Sequence, residues 1–473
     1  MIELTLAELA RLVGGRLHRA TGDERVTGTV EFDSRAVGPG GLFVALPGER
    51  VDGHDFATTA VAAGAAGVLA AREVDAPAVL VEPLTGAHVP DAAHDAAGAA
   101  VLVALQTLAR HVVDALPDLD VVGITGSSGK TSTKDLAAAL LERDGPTVAP
   151  PGSFNNELGH PWTVLRCDPA TRHLVAELSA RGRGHIAALC RVAPPRIGAV
   201  LNVGSAHLGE FGSREAIAQA KGELVEALPA EGVAVLGADD PVVAAMRSRT
   251  AARVVHTGRA PEADVRAVDE TIDGEGRARF RLLTPSGEAE VALGLRGAHQ
   301  VDNALVAAAI ALESTRLTVD EVATALGEAV PRSRWRMEVG ERPDGVRVLN
   351  DAYNANPESM RAALATLASM SGRHTAVLGV MGELGDDAEA AHAELGRLAA
   401  ASGLQRLVVV GEAARPTYEA ARTAGLASDL VPDAAAAVEA VHAAPGDVVL
   451  VKASRSAGLE KVAEALLDQG AVR

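Results

Sequence analysis

The segment Val121–Leu136, VVGITGSSGKTSTKDL, determines how the rest of the sequence is interpreted. A β-branched strand, Val121–Thr125, precedes a glycine-rich loop, and a helix is predicted to begin near Lys130. Such a loop lets backbone N–H groups converge on phosphate oxygens, and the helix N-terminus adds a partial positive charge. In the common phosphate loop G-x-x-x-x-G-K-[ST] the first glycine would stand at Ile124, whereas here it is Gly126. The segment therefore predicts a phosphate loop of a shorter class.

Two side chains of this loop have specific expected contacts. Lys130 is expected to reach the β- and γ-phosphates of ATP, and the Thr131 hydroxyl to ligate Mg²⁺. The alternative is a strand–helix turn that contains Gly-Lys by chance, and the strand before it and the helix after it disfavour that reading. The residues of the loop predicted to bind ATP are Gly126, Ser127, Ser128, Gly129, Lys130, Thr131 and Ser132.

Composition bounds the class of protein. The chain has 473 residues, enough for about two to four domains. Its net charge of −18 argues against a general nucleic-acid binder, so an anionic substrate would need local basic residues. Two cysteines, Cys167 and Cys190, indicate neither a disulfide framework nor a cysteine zinc site, which fits the cytoplasm. The N-terminal MIELTLAELARLVGG lacks a signal-peptide pattern, and no apolar run reaches bilayer length without charges or glycines.

Strand and helix signals alternate nearly throughout, which predicts an α/β fold. We expect three domains, at residues 1–92, 93–332 and 333–473. The first contains a short strand, Leu42–Leu46, and the second begins with a helix from about Asp95 to Leu116. Residues 265–293 are predicted to form antiparallel hairpins. Other elements predicted in the second domain are strands near Leu174–Leu178 and Ala199–Val203 and a helix near Val301–Glu313.

The third domain has the pattern of a doubly wound parallel sheet. Such sheets bind ligands at the carboxyl ends of their strands. Polar clusters fall at three of those ends, namely NDAYNANP, GVMGELG and KASRS, which is more than turn chemistry alone requires. The predicted strands are Val346–Asn350, Thr375–Val380, Leu407–Val410 and Val448–Val451.

The phosphate loop resembles that of a known family. GITGSSGKTSTKD is similar to the nucleotide loop of the Mur ligases, the ATP-dependent amide ligases of peptidoglycan precursor synthesis, in which T-G-x-x-G-K-T is the normal spacing. DSRAVGPGGLFVALPGERVDGHDF resembles the UDP-binding first domain of the later members. SFNNELGHPWTVL, DAYNANPESM, GVMGELGDDAEAAHAELG and VKASRSAGLEKV resemble the member that adds a D-alanyl-D-alanine dipeptide. The D-N-P-R string of the diaminopimelate- or lysine-adding member is absent.

The resemblance implies an enzyme that joins D-Ala-D-Ala to UDP-N-acetylmuramoyl-tripeptide through an acyl phosphate, with ATP and Mg²⁺ as cofactors. It implies a small α/β UDP-binding domain, a central P-loop ATPase domain with a parallel sheet plus antiparallel hairpins, and a C-terminal Rossmann-like domain that binds the dipeptide. We further expect a cytoplasmic monomer that binds neither nucleic acid nor membrane.

Candidate metal ligands lie in the middle of the chain. Glu177 ends the strand HLVAEL, and His207 lies in SAHLGEF after another strand. Alone they would be a solvated acid and a structural histidine, but the resemblance implies that both, with Thr131, ligate Mg²⁺. Lys221 alone would be a helix-surface lysine. The resemblance places it beside the metal, where we hypothesise that it is carbamylated. These four residues and Lys130 are the predicted catalytic and metal-binding set.

The resemblance also implies the remaining contacts. Asn303 would contact adenine, although Gln300 stands where the family often has asparagine. Arg334 or Arg336 would reach the γ-phosphate, with Arg336 favoured by its place before Met337. Asp351 and Tyr353 would contact ribose and adenine. The predicted substrate-binding residues are Ser34, Arg35, Asn155, Asn156, Ser179, Asn354, Asn356, Lys452 and Arg455. Of these, Lys452 and Arg455 would hold the dipeptide carboxylate, the latter through bidentate pairing.

Three departures from the family pattern fall in the third domain: Ala352 for Ser, Ala453 for Gly, and Val380 and Gly382 for Asp and Leu. Each leaves the charged groups intact but can alter loop geometry or dipeptide preference.

Other functions remain open at this point. A third-residue-adding Mur ligase or a folylpolyglutamate synthetase would differ in the amine accepted. A P-loop switch or motor would hydrolyse nucleotide without both ligase substrates, and the absence of an N-K-x-D string disfavours a GTPase. A catalytically dead scaffold is disfavoured by the presence of Lys130, Thr131, Glu177 and His207.

Overall fold

The computed structural model describes residues 1–48, 51–84, 93, 95–204 and 211–469. Within these ranges the chain is α/β, as predicted, and its strands form three larger sheets and one small antiparallel pair, Leu4–Thr5 with Arg25–Val26. We call the larger sheets the first, central and C-terminal sheets, in chain order.

The central sheet has nine strands, and its order explains where the site lies. Its parallel part centres on Asp120–Thr125, which lies between His173–Glu177 and Ile197–Val200. The last three strands pair antiparallel, so the predicted hairpins are confirmed. In spatial order the strands are Gly287–Arg296, Arg277–Thr284, Val265–Ile272, Arg253–Gly258, Val233–Gly237, Ile197–Val200, Asp120–Thr125, His173–Glu177 and Thr147–Val148.

Two helices cover the face of the central sheet below the phosphate loop. Lys130–Leu141 follows the loop directly, and His299–Ser314 packs beside it with apolar side chains buried on nearly every face. A helix buried all round is expected in the middle of a large core. Its many alanines let the two helix backbones approach closely, which brings the first turns of both helices to the same edge of the sheet.

The first sheet joins the rest of the molecule through the helix Ala96–Asp114. Leu105 and Leu108 of this helix share one core with Leu42 of the first sheet and Val121 of the central sheet. By length and composition this helix could cross a bilayer, but it contains Gly98, Arg110 and Asp114, and 56% of its most apolar stretch is buried in the protein, as in a core helix. The first sheet has the order Arg16–His18, Ala78–Leu80, Gly67–Ala70, Leu42–Val44 and Val30–Glu31.

One tryptophan lies at each junction between sheets. Trp162 donates from Nε1 to the carbonyl of Val30 in the first sheet at 2.8 Å and packs edge-on against Phe32. Trp335 precedes the C-terminal sheet and lies between the guanidinium groups of Arg334 and Arg455. In a chain with only 2% aromatic residues, the large rings are therefore placed where separate parts of the fold meet.

The C-terminal sheet is parallel except at one edge. The four predicted strands are present, and two edge strands that the sequence pattern missed, Glu338–Glu341 and Ser428–Val431, flank them. Both are short and only partly buried, so they carry no clear apolar pattern. The order is Glu338–Glu341, Arg347–Asn350, Val448–Lys452, His374–Leu378, Arg406–Val410 and Ser428–Val431. The other helices are Leu6–Val13, Ala57–Ala62, Gly159–Val164, His185–Val192, Arg214–Glu226, Pro241–Ala244, Val319–Glu328, Pro357–Ser369, Ala388–Ala401, Arg415–Thr423, Ala434–Ala440 and Glu460–Asp468.

The partly buried ion pair of Asp120 and Arg196, at the amino end of the central sheet, allows a test of stability. Burial acts to raise the pKa of Asp120, but the nearby His173 ring and the hydrogen bonds from Arg196 outweigh it and lower the pKa from 3.8 to about 2. A carboxylate with a lowered pKa stabilises the fold above the unfolded value and loses that effect as pH falls through the folded value. We expect Asp120→Asn to lower the free energy of unfolding at pH 7 by about 2 kcal/mol in urea titrations.

The matched control is Asp114→Asn. Its pair with Arg110 is half exposed, so the expected loss is below about 1 kcal/mol. If the two variants lost the same free energy of unfolding, the Asp120–Arg196 pair would stabilise the fold no more than an exposed pair does, which would contradict the prediction.

Candidate active site

The phosphate loop has the compact shape that the sequence predicts. The helix begins at Lys130, and Gly129 before it has φ of +82°, a left-handed conformation that favours glycine. A Cβ at this glycine would also lie 2.4 Å from Oδ1 of Asn303. Both conformation and space therefore require glycine at the last position of the loop.

Lys130 folds back over the loop. Its Nζ donates to the carbonyl of Gly126 at 2.7 Å. Burial lowers the pKa of Lys130, the Glu177 carboxylate opposes that shift, and the Arg336 guanidinium adds to it. The ammonium therefore lies over the loop among charged groups, where an anionic ligand would favour its charged form.

Asn202 is a site residue that the sequence analysis missed. Its Oδ1 accepts from the backbone N–H groups of Ser127 and Ser128, each at 3.0 Å, and its Nδ2 donates to the carbonyl of Ser128 at 3.2 Å. It lies two residues beyond the end of the strand Ile197–Val200, at the same sheet edge as the loop. A polar residue after a parallel strand is the signal that could have found it.

Glu177 is in the place predicted for a metal ligand. It is the last residue of its strand, paired in register with Ile124. One carboxylate oxygen accepts from the Thr131 hydroxyl at 2.9 Å and the other from Nδ2 of Asn155 at 2.7 Å. These hard oxygens are donors that suit Mg²⁺. His207, the other predicted ligand, lies outside the described residues, and in the described ranges no group of three acidic, histidine or cysteine side chains is gathered for a metal.

Lys221 is buried rather than on the helix surface. It lies on the helix Arg214–Glu226 and is 3% exposed. Burial, with a further contribution from Lys130, lowers its pKa well below the usual range for lysine. Burial therefore favours the neutral amine more than water does.

Arg336 crosses from the C-terminal part of the chain to the phosphate loop. Its Nη2 donates to the Thr131 hydroxyl at 3.1 Å, and its guanidinium lies 4.2 Å from the centre of the Tyr353 ring. Arg334 instead donates to Glu464 at 3.3 Å and is largely exposed. Of the two arginines considered for the γ-phosphate, Arg336 is the one beside the loop.

Asp351 and Lys452 form a buried pair. Nζ of Lys452 donates to Asp351 at 2.5 Å and to the carbonyl of Asn354 at 2.8 Å, and the backbone N–H of Met337 donates to the second carboxylate oxygen at 3.1 Å. Burial lowers the pKa of Lys452, and the aspartate opposes that shift. Asp351 thus holds both the lysine and the chain that leads to Arg336.

Asn303 lies inside a helix that begins two residues before the predicted start at Val301. The helix starts at His299, so Asn303 lies in its second turn, where its side chain accepts from the Thr133 hydroxyl at 3.1 Å and donates to Gln300 at 2.8 Å. His299, which the sequence analysis did not consider, bonds Gln300 and faces the same space. Burial lowers the pKa of His299 to about 4, and the charges of Lys452 and Asp351 act on it in opposite directions.

Two of the predicted substrate asparagines also have structural contacts. Oδ1 of Asn156 accepts from Gly159 N–H at 2.9 Å, and Oδ1 of Asn356 caps the helix Pro357–Ser369 by accepting from Ser359 N–H at 2.9 Å. Both residues also line the cleft described below, and their amide Nδ2 groups are hydrogen-bond donors. Ser179 donates to the backbone carbonyl of Asn155 at 3.0 Å and so fixes the neighbour of Glu177.

Most of these groups, but not Lys221 or Arg334, surround one cleft of about 340 Å³ between the central and C-terminal sheets. The predicted residues that line it are Ser127, Ser128, Gly129, Lys130, Thr131, Ser132, Asn155, Asn156, Glu177, Ser179, Asn303, Arg336, Asp351, Tyr353, Asn354, Asn356 and Lys452. The cleft can hold a polyphosphate at the loop, a cation at Glu177 and a second ligand toward the C-terminal sheet.

Three predicted substrate residues are not in this lining. Arg35 bonds Asp33 on the exposed surface of the first sheet, with Ser34 between them. Arg455 pairs with Glu460 at 2.9 Å and lies over Trp335. Any contact of these residues with substrate therefore requires a ligand that extends beyond the cleft, or a movement of the chain.

Three family comparisons match successive parts of the chain. Residues 28–112 match the Mur ligase family catalytic domain, residues 124–311 the Mur ligase middle domain, and residues 335–455 the Mur ligase glutamate ligase domain. The three matches occur along the chain in the same order as the three sheets.

Relatives match over nearly the whole length. The UDP-N-acetylmuramoyl-tripeptide–D-alanyl-D-alanine ligase of Mycobacterium tuberculosis is 54% identical, covering 99% of this chain and 98% of the relative, and that of Escherichia coli is 36% identical, covering 99% and 100%.

Solved structures agree with this. MurF from Acinetobacter baumannii has a TM-score of 0.84 at 29% identity, covering 98% of this chain and 99% of its own. MurF from Thermotoga maritima in complex with ADP has a TM-score of 0.76 at 30% identity, covering 94% and 98%. With its full-length relatives, its three matched domains and its cleft, this chain belongs to the Mur ligase family.

Proposed function

We propose that the chain is the ATP-dependent ligase that adds D-alanyl-D-alanine to UDP-N-acetylmuramoyl-tripeptide, which gives the UDP-N-acetylmuramoyl-pentapeptide used for peptidoglycan. The observation that carries the proposal is the 54% identity over nearly the full length to a ligase of that name. The cleft adds support, because it brings a phosphate loop and a polar C-terminal cluster to the same space.

The reaction proceeds in two steps. The peptide carboxylate attacks the γ-phosphorus of ATP, which forms an acyl phosphate and releases ADP. The amine of D-Ala-D-Ala then attacks the acyl carbon, loses a proton to solvent, and inorganic phosphate leaves. Lys130 and Arg336 are placed to neutralise charge on the transferring phosphoryl group, since both meet at the loop. Closure of the cleft would exclude water, which otherwise hydrolyses the acyl phosphate.

Magnesium fits the donors that the cleft offers. The Thr131 hydroxyl and the Glu177 carboxylate lie together, and His207 is proposed as a further ligand. When bound, the ion would supply positive charge next to the phosphate oxygens. Asn155 donates to the carboxylate oxygen opposite Thr131 and so orients Glu177 toward the loop.

Lys221 is proposed to carry a carbamate. Carbamylation needs an unprotonated amine, which its burial favours, and it turns a cation that would repel Mg²⁺ into an anion. We expect Lys221→Ala to lower kcat by on the order of 100-fold. Added bicarbonate should not restore this variant. Phosphate release measured in bicarbonate-free and bicarbonate-supplemented buffer checks this, and full activity of the variant would end the hypothesis.

We propose three domains, at residues 1–92, 93–332 and 333–473, which bind different parts of the substrates. Ser34 and Arg35 would contact the uridine diphosphate, and Asn155, Asn156 and Ser179 the acyl part of the same substrate. Asn303, Asp351 and Tyr353 would bind adenosine. Asn354, Asn356, Lys452 and Arg455 would meet the dipeptide. Lys452 is paired with Asp351 and Arg455 with Glu460, so either residue would exchange a carboxylate partner on binding the dipeptide, and only the guanidinium of Arg455 could pair with it in a bidentate way.

We also propose that the protein works as a cytoplasmic monomer on small molecules, without a nucleic-acid or membrane partner. The net charge of −18 supports the first of these exclusions.

The test is phosphate release from ATP with both substrates present and with each omitted in turn. If the chain is the proposed ligase, we expect phosphate to be released only when UDP-N-acetylmuramoyl-tripeptide and D-Ala-D-Ala are both present. Turnover that ignores the dipeptide would favour a P-loop switch instead. Replacing the dipeptide with glutamate or another single amino acid tests whether the chain has the amine specificity of one of the related ligases instead.

A further inference from the structure

Lys134 is a buried cation that the proposed reaction does not use. Only five of the 44 basic residues are lysines, so arginine supplies most of the positive charge. Lys130, Lys221 and Lys452 have proposed roles, and Lys461 is exposed. Lys134 is 1% exposed and is not among the residues that line the cleft. Burying an ammonium costs free energy, so a buried lysine outside the cleft requires partners that compensate for its lost hydration.

The ammonium group of Lys134 joins three segments of the chain. Nζ donates to the carbonyls of Pro150 at 2.8 Å and Gly152 at 3.1 Å, and lies 3.5 Å from Oγ of Ser333. The carboxylate of the adjacent Asp135 forms an ion pair with it. The three protons of the ammonium suffice for the two carbonyls and the Asp135 carboxylate, which a single hydroxyl or amide could not serve together.

Asp135 also contacts Ser333, and we call the ion pair of Lys134 and Asp135 the anchor. Its Oδ2 accepts from the backbone N–H of Ser333 at 3.1 Å, so this serine is held by both members of the ion pair. The chain that follows is strained: Trp335 and Met337 have φ of +59° and +53°, which non-glycine residues rarely adopt. Such backbone persists only where its surroundings fix it, and Ser333 is one of its fixed ends.

The strained segment carries Arg336 to the phosphate loop. Its guanidinium contacts the Thr131 hydroxyl and the ring of Tyr353. The hydroxyl of Tyr353 in turn bonds Oγ of Ser153, which directly follows the segment that Lys134 holds. The contacts therefore close a ring that starts and ends on the helix Lys130–Leu141.

We propose that Lys134 is a positioning residue for the transfer reaction: with Asp135 it sets the place of Arg336, and of the segment that leads to Asn155, relative to the phosphate loop. The inference rests on the proposed ATP site. Loss of the anchor would leave the groups present but misplaced, and a misplacement of about 1 Å can cost about 100-fold in rate.

The experiment is a double-mutant cycle on the full chain with Lys134→Met, Arg336→Lys and the double variant. We expect each single variant to lower kcat about 100-fold. Because both disturb the same constraint, the double variant should be within about threefold of the weaker single variant, rather than about 10⁴-fold below wild type. The KM for UDP-N-acetylmuramoyl-tripeptide should change less than the KM for ATP.

Two further variants keep the test decisive. Lys461→Met is the matched control and should keep wild-type kcat, since it removes an exposed lysine outside the cleft lining. If thermal melting shows that Lys134→Met does not fold, Asp135→Asn replaces it in the same cycle. Effects that multiply, or a kcat for Lys134→Met within about threefold of wild type, overturn the inference. A wild-type protein that binds no ADP and shows no turnover would refute the proposed function instead.

Discussion

Lys130→Met is expected to abolish ligase activity while leaving the fold intact. The side chain is nearly isosteric, so packing over the loop is kept, but the ammonium that bonds Gly126 and lies near Glu177 is lost. A positive charge aimed at the transferring phosphate is among the largest single contributions to such reactions, and we expect kcat to fall by about 1000-fold. Phosphate release with both substrates, measured at saturating ATP, gives this number.

Two controls separate chemistry from folding. Lys461→Met should retain wild-type turnover, and the melting temperature of Lys130→Met should stay close to that of the wild type. A variant that folds and keeps more than about a tenth of wild-type kcat would show that the loop lysine does not act on the phosphates.

Glu177→Gln has the second largest expected effect. The amide keeps the shape of the carboxylate and can still accept from Thr131, but it loses the charge that suits a divalent cation. We expect the Mg²⁺ concentration for half-maximal activity to rise, and kcat to fall, by at least about 100-fold. Phosphate release titrated with MgCl₂ measures both quantities.

Glu231→Gln, an exposed acid in a turn, is the matched control and should leave the Mg²⁺ titration unchanged. If Glu177→Gln lowers kcat without changing the Mg²⁺ requirement, the residue orients substrate rather than metal. That outcome would contradict the proposed ligand set.

The fold could be predicted well where the sequence pattern is strong. The strand before the phosphate loop and the helix start at Lys130 agree with the structure, because the β-branched run and the glycines are local signals. The edge strand Glu338–Glu341 was missed because it is only partly buried and follows a strained segment. The helix at His299 begins earlier than predicted, since its first residues are polar and face the cleft instead of the core.

Local patterns were less informative about the site. Glu177 and Arg336 lie beside the loop, where their positions at a strand end and before the third domain suggested. Asn202 and Lys134 were missed for different reasons. The first looks like any strand-end turn residue, and the second like a solvated helix lysine. Their contacts join residues far apart in the chain, which a local pattern cannot reveal.

The placement of the two tryptophans gives this molecule its own optical reporters. Trp162 meets the first sheet, and Trp335 lies between two guanidinium groups beside the C-terminal sheet. Nearby cations and carbonyl contacts alter indole emission, so each fluorophore responds to rearrangement at its own boundary. Replacing either tryptophan with phenylalanine would leave the fluorescence of the other alone. Rapid mixing with each substrate could then give the rate of rearrangement at the first-sheet boundary and at the C-terminal boundary separately.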